Sequence, residues 1–417
     1  MKTSIVTAIQ NQFKASPRFL EQFAKRMVLM KLENISQGFI QIIDNDQIYA
    51  FGDEASTLHS IVTIRNNSFY HSLAFAGSVG AGEAYFQGEW DCDSLTNLVR
   101  IFVLNRNILD NLDTGSNLLS AFINKALHLL NSNTRNGSRR NIAAHYDIGN
   151  DLFKLMLDSK MMYSSAVYPD DKSELEKAAT HKIDVICKKL KLTEKDHLLE
   201  IGTGWGGFAV HAAKNYGCHV TTTTISQEQY NYAKNYIYEQ GLEDKITLLL
   251  KDYRDLTGQF DKLVSIEMIE AVGLNNLNTY FRKCSSLLKE SGIMCLQSIT
   301  IEDQRYERAK REVDFIQKYI FPGGSLPSVT AISESVTKVT DMCIYNLEDI
   351  GLHYAKTLND WRARFFNNKS QIIKLGYNET FTRLWEFYLC YCEGAFAERA
   401  TSAVHILLIK PRYRKNL

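Results

Sequence analysis

His197-Leu198-Leu199-Glu200-Ile201-Gly202-Thr203-Gly204-Trp205-Gly206-Gly207 decides the fold. An apolar run of strand length enters a turn holding four glycines, and Phe208–Lys214 continues with helical character. Glycine lets the backbone approach a bound molecule without a Cβ in the way. The spacing is E-x-G-x-G-x-G rather than the G-x-G-x-x-G of dinucleotide sites. An ordinary tight βα turn carries similar glycines. Glu200 adds an acid at the strand end that can meet the cationic or amino-acid portion of a ligand, and this favours S-adenosylmethionine.

Working outward, Cys218–Thr223, Ile246–Leu250, Leu263–Ile266 and Ile293–Gln297 read as strands. Leu175–Leu190 and Gln227–Gln240 read as helices between them, and Met342–Leu347 and Ala403–Ile409 as the last two strands. Alternation of this kind predicts an α/β sheet. Ligands of such sheets sit beyond the strand C-termini, so Thr223-Thr224-Ile225-Ser226, Gln229 and Asp252-Tyr253 become candidate nucleoside contacts. Asp252 can accept from an adenine amino group and Tyr253 can stack. The usual ribose-binding acid after the second strand is missing, so Thr and Gln groups must replace it.

The N-terminal region reads as a small α+β unit over residues 1–125. It has a helical pattern through Phe19, Phe23, Met27 and Leu29, then strands at Phe39–Ile43, Ile48–Phe51 and Ser60–Arg65. Ser78–Gln87 reads as a Gly-rich turn beside exposed aromatics, followed by a helix over Ser94–Leu104. Asn131 to Arg140 is polar and basic, and marks a linker over residues 126–144; the catalytic domain runs 145–417.

The 417 residues are 45% hydrophobic, with 48 Lys+Arg against 47 Asp+Glu, so no global basic field recommends nucleic acid. Met1-Lys2-Thr3-Ser4 lacks the pattern of a signal peptide, and no stretch is apolar enough to span a bilayer. The expectation is a cytoplasmic protein lying on the inner face of the membrane. Eight scattered Cys, with His145 and His181 lacking neighbours at ligand spacing, give no metal site.

Several runs together resemble the cyclopropane-fatty-acyl-phospholipid synthases, which include the mycolic acid cyclopropane synthases. They are His145 to Phe153, Met162-Tyr163-Ser164, Glu200 to Gly207, Lys251 to Leu256, Lys318 to Gly324 and Glu393-Gly394-Ala395-Phe396. Gly80 to Phe86 and Gly88-Glu89-Trp90-Asp91 extend the similarity into the N-terminal unit. The resemblance implies a seven-stranded, Rossmann-like S-adenosylmethionine methyltransferase domain behind a small lipid-engaging domain, and a homodimer. Its reaction would be methyl transfer to the double bond of an unsaturated acyl chain in bilayer phospholipid, then proton loss and ring closure. By position Tyr163, Ser164, Gly202, Gly204, Thr224, Gln229, Asp252 and Tyr253 match cofactor contacts; Glu200, Trp205, Gly206 and Ile225 complete the set.

In the family the proton is assigned to a bound bicarbonate held by Cys, Glu, His, Tyr and a backbone amide. The Glu matches Glu270, the Tyr matches Tyr354 and the amide matches Ile299, while Ser165 stands for the Cys and Gln297 for the His. Ser and Gln still donate hydrogen bonds, but the imidazole's titratable charge is gone. Bicarbonate and Glu270 itself therefore stand as competing bases. The altered pocket also admits a methyl-branched or methylene product without a ring. Cys392 occupies a position once considered for a nucleophile, but methyl transfer needs no covalent enzyme intermediate, so it reads as a packing thiol. Glu267, three residues before Glu270, would on a helical turn share a face with it and raise one carboxyl pKa, or else caps or pairs elsewhere. Glu302–Tyr319 reads as a charged helix, with Tyr319-Ile320-Phe321 walling an acyl pocket. Two further classes are an amine N-methyltransferase and a non-catalytic lipid-binding protein.

Overall fold

A computed structural model describes residues 18–106 and 149–414. They divide into a smaller unit, residues 18–106 with 379–387, and a larger one, residues 149–378 with 388–414. The linker expected over 126–144 and His145 lie outside the described residues.

In the smaller unit the helix Arg18–Leu32 precedes β1 (Phe39–Asp44), β2 (Gln47–Gly52), β3 (His59–Ile64) and β4 (Trp90–Cys92), in sheet order β2-β1-β3-β4. The stretch expected as a Gly-rich turn at Ser78–Gln87 is instead the second half of a helix, Ser68–Phe86, kinked at Gly77 (φ 55°, ψ −140°). The kink folds the helix onto itself so closely that a Cβ on Gly80 would lie 2.1 Å from the Ser72 carbonyl oxygen. Small residues there serve packing, and Tyr85 and Phe86 are buried, not exposed. Residues 379–387 belong to this unit through Arg383, whose guanidinium donates to the carbonyls of Tyr85 (2.7 Å) and Trp90 (2.7 Å) and to Asp91 (2.8 Å).

The larger unit is built on β5 (His197–Ile201), β6 (His219–Thr224), β7 (Ile246–Leu250), β8 (Phe260–Ile266), β9 (Leu288–Ile301), β10 (Cys343–Asp349) and β11 (Thr401–Ile409). The seven strands are ordered β10-β11-β9-β8-β5-β6-β7, parallel except that β11 runs antiparallel to both neighbours. Successive strand residues feed opposite cores. Leu199, Leu263, Met294 and Leu296 pack beneath the helices Leu277–Leu287 and Val329–Val339, whereas Leu198, Val264, Ile293 and Cys295 pack beneath Leu175–Leu190 and Gly207–Tyr216. Two covered faces explain why these strands read as unbroken apolar runs instead of alternating ones. The charged helix expected over Glu302–Tyr319 is two helices, Asp303–Ala309 and Phe315–Tyr319. Asp314 restarts the second with a reciprocal capping box to Gln317. Strand order reverses between β5 and β8, and the crevice beyond their C-terminal ends is where an α/β sheet binds ligands.

Candidate active site

At the end of β5 the turn is held by Gly202 N and Thr203 N, both donating to Thr223 O (3.1 and 3.0 Å). Gly204 takes φ +53°, and a Cβ there would meet nothing within 4 Å. That open space, beyond the switch point, fits S-adenosylmethionine. Thr224 Oγ1 donates to Gln229 Oε1 (2.9 Å), while Ser226 Oγ caps Gln229 N, so the polar pair expected after β6 is assembled. Ile225 beside it is half-buried.

Four expected cofactor contacts have other employment. Glu200 is 2% exposed and accepts from Thr222 Oγ1 (2.5 Å) inside the sheet; burial pushes its carboxyl up to about 8. Trp205 is 2% exposed, donates from Nε1 to Asn150 Oδ1 (2.7 Å) and packs on Phe153, and Gly206 closes the turn at its N–H to Thr203 O. Trp205 is therefore a strut under the turn. Asp252 is 3% exposed and accepts from Arg254 N, Nε and Nη2 (2.9, 2.8 and 2.6 Å). Tyr253 stands edge-on to Tyr280.

On the other side of the crevice, residues from five separate segments meet. Glu267 follows β8 at φ +48°, and its N–H bonds Gln297 O (2.8 Å), continuing the register in which Ile266 faces Gln297. Its Oε1 accepts from Ser165 N (2.9 Å) and Gln297 Nε2 (2.8 Å), and its Oε2 from Tyr354 OH (2.8 Å). The Ser165 hydroxyl turns away to Ala166 O (3.0 Å). Glu267 is itself left-handed and Glu270 lies in the short 3-10 turn Ile269–Ala271, so the two acids are not stacked on one helical face. Glu270 Oε1 accepts from Ile299 N (2.6 Å) and Ser298 Oγ (3.0 Å), while Oε2 is buried with no hydrogen-bond partner among the described residues.

Two residues behind this cluster were not legible as site residues. His405 faces Gln297 across the β11–β9 pair and is fully buried. Lys189 Nζ lies 2.9 Å from His405 Nδ1, and His405 Nε2 lies 2.9 Å from Gln297 Oε1. An ammonium can only donate, so Nδ1 accepts and Nε2 carries the proton. Burial holds His405 neutral, well below the usual imidazole range. Its N–H fixes the Gln297 amide with the NH2 toward Glu267. Lys182 is also wholly buried, donating to Ser164 Oγ (2.8 Å); burial drives its pKa down to about 8 against the pull of Glu267, Asp158 and Glu200. A lysine on the buried face of Leu175–Leu190, beside Ala178, Ala179, Ile183 and Ile186, was the available signal.

Burial raises both acids. For Glu267 the Ser165, Tyr354 and Gln297 donors and the Lys182 charge pull back. Glu270 is pushed up to about 8 by burial and then by Glu267 itself. Paired carboxyls driven apart in this way divide into one that holds charge and one that holds a proton.

An aromatic wall adjoins the acids. Tyr354 lies 4.4 Å from Phe396 and 6.0 Å from Trp361 between ring centroids; Trp361 lies 5.2 Å from Tyr163, whose hydroxyl bonds Tyr388 OH (2.8 Å). Cys392 is half-buried near Tyr354 and Tyr388, and burial holds its thiol far above the usual range, which suits packing and not nucleophilic attack. Among the described residues no His/Cys/Asp/Glu group could hold a metal, and no helix is long and apolar enough to cross a membrane. Lys410 and Arg412 are paired with Asp341 and Glu290, and Arg308, Lys310 and Arg311 with acids of their own segment.

The family model described as mycolic acid cyclopropane synthetase matches residues 133–406. The chain is 36% identical to tuberculostearic acid methyltransferase of Mycobacterium tuberculosis over 355 residues, covering 81% of this chain and 80% of that protein. It is 37% identical to cyclopropane-fatty-acyl-phospholipid synthase of Escherichia coli over 344 residues, covering 81% and 85%. Among solved structures, a mycolic acid cyclopropane synthase complexed with SAH and CTAB superposes with a TM-score of 0.61 at 30% identity, covering 65% of this chain and 98% of that one.

Proposed function

Since the chain belongs to the mycolic acid cyclopropane synthetase family, we propose that it methylates the carbon–carbon double bond of unsaturated acyl chains in phospholipid. It is an S-adenosylmethionine-dependent methyltransferase acting on lipid. When bound, S-adenosylmethionine supplies an electrophilic methyl group. The observation that carries the alkene reading is the meeting of buried acids with an aromatic wall beside the glycine turn. Methylation of an alkene leaves positive charge on the neighbouring carbon, which the faces of Tyr354, Trp361 and Tyr163 can stabilise while excluding water. A carboxylate next to them can take a proton from the new methyl group.

Loss of that proton with closure of a carbon–carbon bond gives a cyclopropane, as the name of the Escherichia coli relative describes. A hydride shift before the same proton loss gives a methylene chain without a ring. We assign lipid engagement to the smaller unit, and peripheral association with the inner membrane face and a homodimer to the whole protein. Vesicles of monounsaturated phospholipid incubated with the protein and S-adenosylmethionine test the reading. High-field cyclopropane protons mean ring closure, vinylidene protons mean the methylene product, and no modified acyl chain refutes both.

A further inference from the structure

The bicarbonate implied by the family resemblance does not fit this pocket, because its donors are already used. Of the five groups expected to hold it, Gln297 Nε2 and Tyr354 OH bond Glu267, Ile299 N bonds Glu270, and the Ser165 hydroxyl donates to Ala166 O, while the Ser165 N–H also bonds Glu267. A carboxylate has the same planar O–C–O fork as bicarbonate and uses the same donors. Glu267 is also strained. A non-glycine residue at φ +48° costs on the order of 1 kcal/mol, and such strain persists only where surrounding contacts determine it. Here those contacts are three side-chain hydrogen bonds and the main-chain bond to Gln297 O.

We infer that the side chain of Glu267 permanently fills the anion position and is the base that takes the proton from the transferred methyl group. Three donors occupy three of about four acceptor positions on the carboxylate. The remaining one is on Oε2, the oxygen bonded to Tyr354, whose ring belongs to the aromatic wall. The step balances within the acyl chain and this residue. The C–H pair of the new methyl becomes the closing C–C bond, or the C=C bond after a hydride shift; the proton goes to Glu267, which later returns it to solvent. Gln297 and His405 are positioning residues, since their bond directs the amide N–H at Glu267. Lys182 balances the charge from the helix Leu175–Leu190.

The substrate in this inference rests on the proposed function, so the test has one arm that needs no turnover. 13C-labelled bicarbonate is titrated into the full-length protein and into Glu267→Gly and followed by NMR. Glycine is at home at φ +48° and opens the pocket. The wild type is expected to bind none and Glu267→Gly to bind it. In the second arm, turnover on monounsaturated phospholipid vesicles is compared with and without bicarbonate. The wild-type rate should be unchanged. Glu267→Gln, which keeps shape but not basicity, should lose about 10²- to 10⁴-fold in kcat while binding SAH normally. Glu267→Gly should lose as much and recover with bicarbonate. Bicarbonate binding to the wild type, its activation by bicarbonate, or a Glu267→Gln variant with full kcat would overturn the inference. A wild type that leaves the vesicles unmodified refutes the proposed function instead, and the binding arm still decides the role of Glu267.

Discussion

Gly204→Ala and Gly207→Ala, three residues apart in one turn, should fail in opposite ways. The Gly204 position is left-handed, so alanine costs about 1–2 kcal/mol there. Its new methyl meets no protein atom within 4 Å. For a domain of this size that loss lowers the melting temperature by roughly 2–8 °C, at 2–4 °C per kcal/mol. The methyl does enter the space assigned to S-adenosylmethionine. An overpacking cost of about 1–3 kcal/mol weakens binding roughly 5- to 150-fold, at tenfold per 1.4 kcal/mol. At Gly207 a Cβ would lie 2.4 Å from the Lys160 carbonyl oxygen and 3.0 Å from Met162 Sδ. That backbone has little room to retreat, because Asp158 accepts from both Lys160 N and Met162 N (2.9 Å each). Gly207→Ala should therefore lose more stability than Gly204→Ala, and any loss of affinity should follow from displacing the Tyr163-Ser164-Ser165 segment. Thermal denaturation with calorimetric titration of SAH reads both effects. If Gly204→Ala binds SAH like the wild type, the open space beside the turn is not where the ligand lies.

Other perturbations separate the acids, the amide relay and the smaller unit. Glu270 keeps its proton to about pH 8, whereas in the unfolded chain it ionises near pH 4.3. Folding therefore takes up a proton between those values, and this group makes stability fall as pH rises, by up to about 1.4 kcal/mol per pH unit. Glu270→Gln should flatten that slope, read as urea midpoints at about pH 5.5 and 7.5; an unchanged slope would place the Glu270 pKa near its ordinary value. His405→Leu removes the donor that orients Gln297, at about 1–3 kcal/mol of stability, and kcat should fall while KM for S-adenosylmethionine holds; a change in KM alone would contradict the positioning role. Arg383→Ala removes one donor each from the carbonyls of Tyr85 and Trp90 and from Asp91, leaving Tyr85 O its bond from Gly88 N and Asp91 its pair with Arg65. It should cost about 2–4 kcal/mol, seen as faster hydrogen exchange over residues 68–92, and unaltered exchange there would refute it.

The catalytic sheet was legible because covered strands leave continuous apolar runs and the β5 turn carries its glycines in sequence order. The kinked helix Ser68–Phe86 was not, because Gly80 and Gly82 look like turn residues until the Gly77 kink brings Ser72 against Gly80. The site divides along the same line. Thr224 with Gln229 lies within one local segment, and the sequence points to it. The Glu267 cluster joins residues 165, 267, 297, 354 and 405, far apart in sequence; the β8–β9 and β9–β11 pairings bring 267, 297 and 405 together, and the helix Gly351–Asn367 carries 354.

The register of those strands decides the chemistry. With Ile266 opposite Gln297 and Gln297 opposite His405, a neutral imidazole lies behind the amide and a carboxylate in front of it. A slip of one residue would turn Gln297 to the opposite face of the sheet, removing both the donor to Glu267 and the amide that His405 holds. The imidazole in the structure lies one strand away from Gln297, at His405. It does not touch the anion position and does not change charge near neutral pH. Basicity in the crevice then rests on the two carboxyls, and Glu267 is the one bonded to Tyr354 of the aromatic wall, with an acceptor position open on that same oxygen.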